Sequence, residues 1–153
     1  MIERYQALAS ARRDNDKNLR ADPLARILVI EDDESFRDLV RLHLSAAGHT
    51  VQVAEDPEAG LRSILAEAPE LVVLDIDLPY LSGIEVLEAL RSDPGYRKVR
   101  VIVVTAHRDD ETYARCRDIG TDGFLTKPVQ SGELIEAIRG ALSRPSEIEK
   151  RYS

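Results

Sequence analysis

Short apolar runs separated by longer stretches of helical period lay out this chain. The runs at Arg26–Ile30 (RILVI), Thr50–Ala54 (TVQVA), Leu71–Leu74 (LVVL), Val99–Val104 (VRVIVV) and Gly123–Thr126 (GFLT) are short and mostly β-branched, and they predict strands. Between the first two, Glu34–Ala47 places Phe36, Leu39, Val40, Leu44 and Ala47 on one helical stripe and stops at Gly48, a residue suited to a left-handed cap. Asp56-Pro57-Glu58 combines an N-cap, a proline at the first helical position and an early acid, so a second helix starts there. Ser82-Gly83-Ile84-Glu85 matches a capping box and predicts a third. A fourth runs near Asp109–Ile119 and ends at Gly120; a fifth runs from about Ser131 to Leu142, with Pro145 beyond it.

Five strand–helix units in succession imply right-handed crossovers, hence an α/β, doubly wound parallel sheet with helices on both faces. Such a sheet binds ligands outside the carboxyl ends of its strands, where the strand order reverses. The residues that end the runs therefore carry the candidate chemistry. The first run ends in Glu31-Asp32-Asp33, the third in Asp75 with Asp77 just beyond, the fourth in Thr105, and the fifth in Lys127-Pro128, whereas the second ends in Ala54. An acid between a strand and a helix serves equally well as an N-cap, and Asp33 fits either role. Glu31 and Asp32 arriving beside Asp75 are harder to explain structurally, since two carboxylates about 4 Å apart repel by about 4 kcal/mol at an effective dielectric of about 20. Either a pKa rises or a cation binds, and clustered hard oxygens suit Mg²⁺.

Composition narrows the partners. At 153 residues the chain suits one globular domain, and its 43% hydrophobic and 32% charged residues match an ordinary folded protein. No apolar run reaches the length of a membrane span, and the opening residues lack a signal-peptide core, so a cytoplasmic location is expected. A net charge of -7 without a basic patch argues against direct nucleic-acid binding. The single cysteine, Cys116, reads as a small buried residue, and His43, His49 and His107 as surface or half-buried residues rather than catalysts.

The stretches ILVIEDDESFR, LVVLDIDLPYLSGIEVL, VIVVTAH and GFLTKPV, in this order and spacing, resemble the receiver domain of two-component response regulators over about residues 26–143. That resemblance implies a flavodoxin-like sheet of order 2-1-3-4-5 and Asp75 as the phospho-acceptor. It implies Asp32 as a direct Mg²⁺ ligand, Glu31 acting largely through water, and a contribution from the Asp77 carbonyl. It implies that Lys127 pairs with the phosphoryl group, that Thr105 hydrogen-bonds it, that Phe124 moves with Thr105, and that Asp77 and His107 tune phosphoryl loss. It further implies a cis Lys127–Pro128 bond. Ser82, Thr121 and Val129 depart from commoner family residues without touching this chemistry.

Phosphoryl transfer to a carboxylate requires positioning and charge neutralisation more than a base, so an ionised Asp75 needs no histidine. The donor is expected to be a phosphohistidine on a sensor histidine kinase or a histidine phosphotransfer protein. The expected protein is a switch with self-phosphorylation and autodephosphorylation only. It would reshape the face of the fourth helix, fifth strand and fifth helix for a downstream protein target, with a homodimer as a further outcome of phosphorylation. Asp75-Ile76-Asp77 also resembles the nucleophile motif of haloacid-dehalogenase-type phosphatases, although the preceding Glu31 and Asp32 and the following LTKP fit that family less well. A binding-only pseudo-receiver is a third reading, disfavoured by the intact set of site residues. Residues 1–25 read as a flexible or partly helical extension and residues 144–153 as a short tail. A complete chain would then be a stand-alone receiver, and otherwise the N-terminal part of a larger regulator.

Overall fold

The computed structural model describes residues 23–77 and 82–145. The expectations for the residues before 23 and for those after 145 lie outside that range. Five strands, β1 (Arg26–Ile30), β2 (Thr50–Ala54), β3 (Leu71–Asp75), β4 (Arg100–Thr105) and β5 (Gly123–Thr126), pair in parallel in the order β2-β1-β3-β4-β5. Helices α1 (Glu34–Ala46), α2 (Pro57–Ala66), α3 (Gly83–Ser92), α4 (Asp110–Ile119) and α5 (Ser131–Ser143) make the crossovers. This is the doubly wound, flavodoxin-like arrangement that the alternation and the resemblance lead one to expect. Three strands keep their expected bounds. β3 is one residue longer and takes in Asp75, and β4 is shifted by one residue to take in Thr105.

Alternation along the central strands builds two cores, because successive side chains of a strand point to opposite faces. Leu28 and Ile30 of β1, Val72 and Leu74 of β3, and Val101 and Val103 of β4 pack with Ile64 of α2, Val86, Leu87 and Leu90 of α3, and Cys116 of α4. Their neighbours Ile27, Val29, Leu71, Val73, Ile102 and Val104 pack on the other face with Val40 and Leu44 of α1 and Leu134, Ile138 and Ala141 of α5. Each such aliphatic side chain contributes about 1.5–3 kcal/mol by leaving water, so the central strands are the anchored part of the sheet. All of β3 is buried, whereas β2 and β5, at the sheet edges, are only partly covered.

The helix starts follow their caps. Asp33 Oδ1 accepts from Phe36 N at 3.0 Å, which settles the dual reading of Asp33: it caps α1. Asp56 Oδ1 accepts from Ala59 N at 2.7 Å ahead of Pro57, and Asp109 Oδ1 accepts from Thr112 N at 2.8 Å. α3 begins at Ser82 as expected, but Ser82 Oγ accepts from Ile84 N at 3.1 Å, one residue earlier than a capping box requires. The expected stripe of α1 is also narrower. Val40 and Leu44 are buried, but Leu39 is 49% exposed and Ala47 lies on the surface. Gly48 takes the positive φ, 100°, that its place after α1 predicts.

Gly83 has a different reason. A Cβ there would collide with the carbonyl oxygen of Asp75 and with the backbone of Ile76, so only glycine lets α3 start directly against the end of β3. The third helix is thereby fixed against the strand that carries Asp75.

Candidate functional site

The ends of β1, β3 and β5 bring Glu31, Asp75 and Lys127 into one cluster. Glu31 is 2% exposed and Asp75 3%, and Lys127 Nζ bridges them, donating to Glu31 Oε1 and Oε2 at 3.0 and 3.1 Å and to Asp75 Oδ2 at 3.2 Å. The other Asp75 oxygen, Oδ1, accepts from the backbone of Asp77 at 2.8 Å. Asp32, exposed to solvent, completes the acidic group: carboxylate oxygens of Glu31, Asp32 and Asp75 all lie within 4.8 Å of one another.

Three acids around one lysine leave negative charge in excess, and the electrostatics show it. Burial, and then the Asp75 charge, push the Glu31 carboxyl up to about 7 against the pull of Lys127. Burial opposes the charge on Lys127, but its hydrogen bond to Glu31 and the charges of Asp75 and Glu31 outweigh that and hold its pKa above the ordinary value. A hard divalent cation fits this donor set. The acids supply charged oxygens, one of them facing solvent, and the site carries a charge deficit that a cation corrects.

Two residues beside the cluster escaped the sequence reading. The Phe36 ring lies 4.6 Å from Lys127 Nζ, in cation–π contact, although periodicity placed it only on the apolar stripe of α1. Arg37 donates through Nη1 to the Glu31 carbonyl at 3.1 Å and holds the end of β1. The sequence signal for both is faint: they follow the acids at the start of the helix, and only the sheet brings Lys127 over them.

Thr105 and Asp77 form a second knot next to the first. The Thr105 hydroxyl, fully buried, donates to Asp77 Oδ2 at 2.8 Å; Ala106 N donates to the same oxygen at 3.2 Å, and His107 N donates to Thr105 Oγ1 at 3.0 Å. His107 Nε2 lies 2.6 Å from Asp77 Oδ1. Asp77 therefore binds the β4–α4 loop with its side chain and meets His107, the other residue that the resemblance gives a tuning role; its bond to the Thr105 hydroxyl was not among the expected roles. Phe124 stands apart from the acids, half-buried on β5, with its ring edge-on to Tyr113 of α4 at 5.1 Å and 87°. The Lys127–Pro128 peptide is cis. Cys116 is buried, which raises its thiol pKa, and His49 accepts from Ala25 N at 3.1 Å, with burial lowering its pKa. Neither belongs to the site.

This sheet order and this set of strand-end residues define a receiver-type α/β domain. The sequence model of the response regulator receiver domain matches residues 27–139, and the chain belongs to that family, the receivers of two-component signalling. It is 34% identical over 125 residues to the DNA-binding dual master transcriptional regulator RpaA of Synechocystis, covering 82% of this chain and 52% of that protein. It is 36% identical over 118 residues to the transcriptional regulatory protein AfsQ1 of Streptomyces coelicolor, covering 77% and 51%. The chain thus spans about half the length of these curated relatives. Among solved structures, the CheY-like response regulator receiver domain protein of Methanospirillum hungatei is 30% identical, with a TM-score of 0.73 over 86% of this chain and all of that one. The membership leaves the haloacid-dehalogenase-type reading without support. Among the described residues, no helix is long and apolar enough to cross a membrane.

Proposed function

We propose that the protein is a phospho-accepting switch in which Asp75 takes a phosphoryl group from a phosphohistidine on a sensor histidine kinase or phosphotransfer protein. An Asp75 carboxylate oxygen attacks phosphorus, the O–P bond of an acyl phosphate forms, and the N–P bond breaks with its electron pair returning to the donor imidazole, which then takes up a proton. The observation that carries this reading is the convergence of Glu31, Asp32, Asp75 and Lys127 on one sheet edge, with Asp75 almost wholly buried. Mg²⁺ held by Glu31, Asp32 and Asp75, with the Asp77 carbonyl, would neutralise the acids and the phosphoryl oxygens. Asp77 N orients the acceptor, and Lys127 is near enough to Asp75 to turn from its carboxylate to a phosphoryl oxygen.

In this reading Thr105 then bonds the phosphoryl group, Phe124 leaves Tyr113, and the face formed by α4, β5 and α5 changes shape for a downstream protein or a second copy of the chain. The protein turns over no separate substrate; it gains and loses its own phosphoryl group in the cytoplasm. RpaA and AfsQ1 are transcriptional regulators that this chain matches over only about half their length, so a nucleic-acid-binding output, if coupled to this receiver, would lie outside residues 23–145. Acetyl phosphate, or beryllofluoride with Mg²⁺, should modify the wild type and leave Asp75→Asn unmodified in a Phos-tag gel or by ¹⁹F NMR. Full modification of Asp75→Asn would refute the assignment.

A further inference from the structure

The Thr105 hydroxyl has one proton, and it is already given away. It points to Asp77 Oδ2 at 2.8 Å, from a Thr105 that is itself fully buried. The acceptor is itself held: Ala106 N donates to the same Asp77 oxygen at 3.2 Å and His107 Nε2 lies 2.6 Å from the other. The same residue donates its backbone N–H to Asp75 Oδ1 at 2.8 Å. Asp77 thus touches the acceptor with its main chain and the switch threonine with its side chain. A phosphoryl oxygen on Asp75 needs the proton that Asp77 now receives, and a single hydroxyl proton serves one acceptor fully at a time.

We propose that the Asp77 carboxylate latches Thr105 in the unphosphorylated protein, with His107 fixing the latch, so that Asp77 and the phosphoryl group compete for one hydroxyl. This rests on Asp75 being the acceptor and adds what sets the resting position of the switch. Asp77 is a positioning residue: it acts on the phosphoryl group through Thr105. Release of the latch costs the Asp77 bond and returns the Thr105–phosphoryl bond, so the energy of the Asp77 contact sets the population of the active arrangement before any phosphoryl arrives.

The chain has two phenylalanines, Phe36 and Phe124, one beside Lys127 and one at the switch. Uniform 4-fluorophenylalanine labelling therefore gives two ¹⁹F signals, assigned by Phe124→Leu. In the unloaded protein, Asp77→Ala should move the Phe124 signal toward its position in beryllofluoride-loaded wild type while the Phe36 signal stays, which shows that the fold is intact. Beryllofluoride, titrated with Mg²⁺, should bind Asp77→Ala about fivefold more tightly, equal to about 1 kcal/mol at 1.4 kcal/mol per tenfold and within the range of one hydrogen bond. In a Thr105→Ala background the same substitution should change affinity less than twofold. An unmoved Phe124 signal overturns the latch. So does a gain in affinity that persists without Thr105, since that is relief of charge repulsion alone. A wild type that takes no beryllofluoride overturns the acceptor reading on which the latch rests, whereas a wild type that loads, with a Phe124 signal unmoved between the unloaded wild type and Asp77→Ala, overturns the latch alone.

Discussion

Two buried charge clusters sit at opposite ends of this sheet, and they are built on opposite principles. At the end where β4 and β5 begin, Arg91 of α3 pairs with Asp122 at 3.2 Å, with side chains 6% and 5% exposed. Its guanidinium also donates to the carbonyls of Gly120, Arg97 and Val99 at 2.8, 2.9 and 2.6 Å, while Asp122 Oδ2 accepts from Val101 N at 2.9 Å. One cation meets one anion, and the planar fork finds carbonyls along its edges. At the other end, Glu31 and Asp75 share Lys127 with the Asp32 carboxylate alongside, and Glu31 is pushed up to about 7. Among the described residues every buried side-chain polar atom has a hydrogen-bond partner, so hydrogen bonding does not separate the two clusters. Charge does. The balanced cluster holds α3 and the start of β5 in place, and the unbalanced one keeps an energetic demand for a further cation.

The comparison breaks most easily at the balanced end. Arg91→Ala leaves Asp122 buried beside carbonyls without its guanidinium and should cost about 3–5 kcal/mol in urea unfolding, the usual cost of stranding one partner of a buried pair. Mg²⁺ affinity of the fraction that remains folded should change little, because the two ends do not touch. A loss under 1 kcal/mol would mean that the pair is not structural.

The unbalanced end predicts a pH dependence of defined sign. A carboxyl with its pKa raised from 4.5 to about 7 binds its proton more tightly in the folded protein. The stability this lends is fully present below about 4.5 and is lost as pH rises through about 7. Metal-free protein should lose up to about 3 kcal/mol across that window, at about 1.4 kcal/mol per pKa unit. The raised pKa of Lys127 acts above its ordinary 10.5 and leaves this window alone. Glu31→Gln should flatten the slope, and saturating Mg²⁺ should oppose it by favouring the carboxylate. Urea midpoints measured at intervals from pH 4.5 to 8, in chelator and in Mg²⁺, test this; identical slopes in wild type and Glu31→Gln would assign the charge stress elsewhere.

The finest contrast lies between two adjacent acids. Asp33→Ala removes the α1 cap and should cost about 1 kcal/mol while Mg²⁺ affinity holds. Asp32→Asn should leave stability within about 0.5 kcal/mol, as exposed substitutions do, and weaken Mg²⁺ binding in calorimetry. The reverse pattern would exchange their roles.

Much of the fold was legible because its determinants are local. Apolar runs of four to six residues and caps such as Asp56-Pro57 act within a few positions, so the element order and most boundaries could be read directly. The convergence of Glu31, Asp75, Thr105 and Lys127 followed from the topological rule that strand ends share an edge. The breadth of the α1 stripe did not, since which of Phe36, Leu39 and Val40 is covered depends on where the helix crosses the sheet.

By itself, then, the sequence determined the alternating architecture and the acids, hydroxyl and lysine delivered to one edge, because periodicity and order along the chain are written in the residues. Only the tertiary structure decided that Lys127 lies between Glu31 and Asp75 against Phe36, and that the Asp77 side chain turns to Thr105. These contacts join residues 96, 52 and 28 positions apart, through side-chain rotamers chosen by competing donors and acceptors in the folded site. No local pattern encodes that choice, because each rotamer is favourable only when the partner strand is already in place.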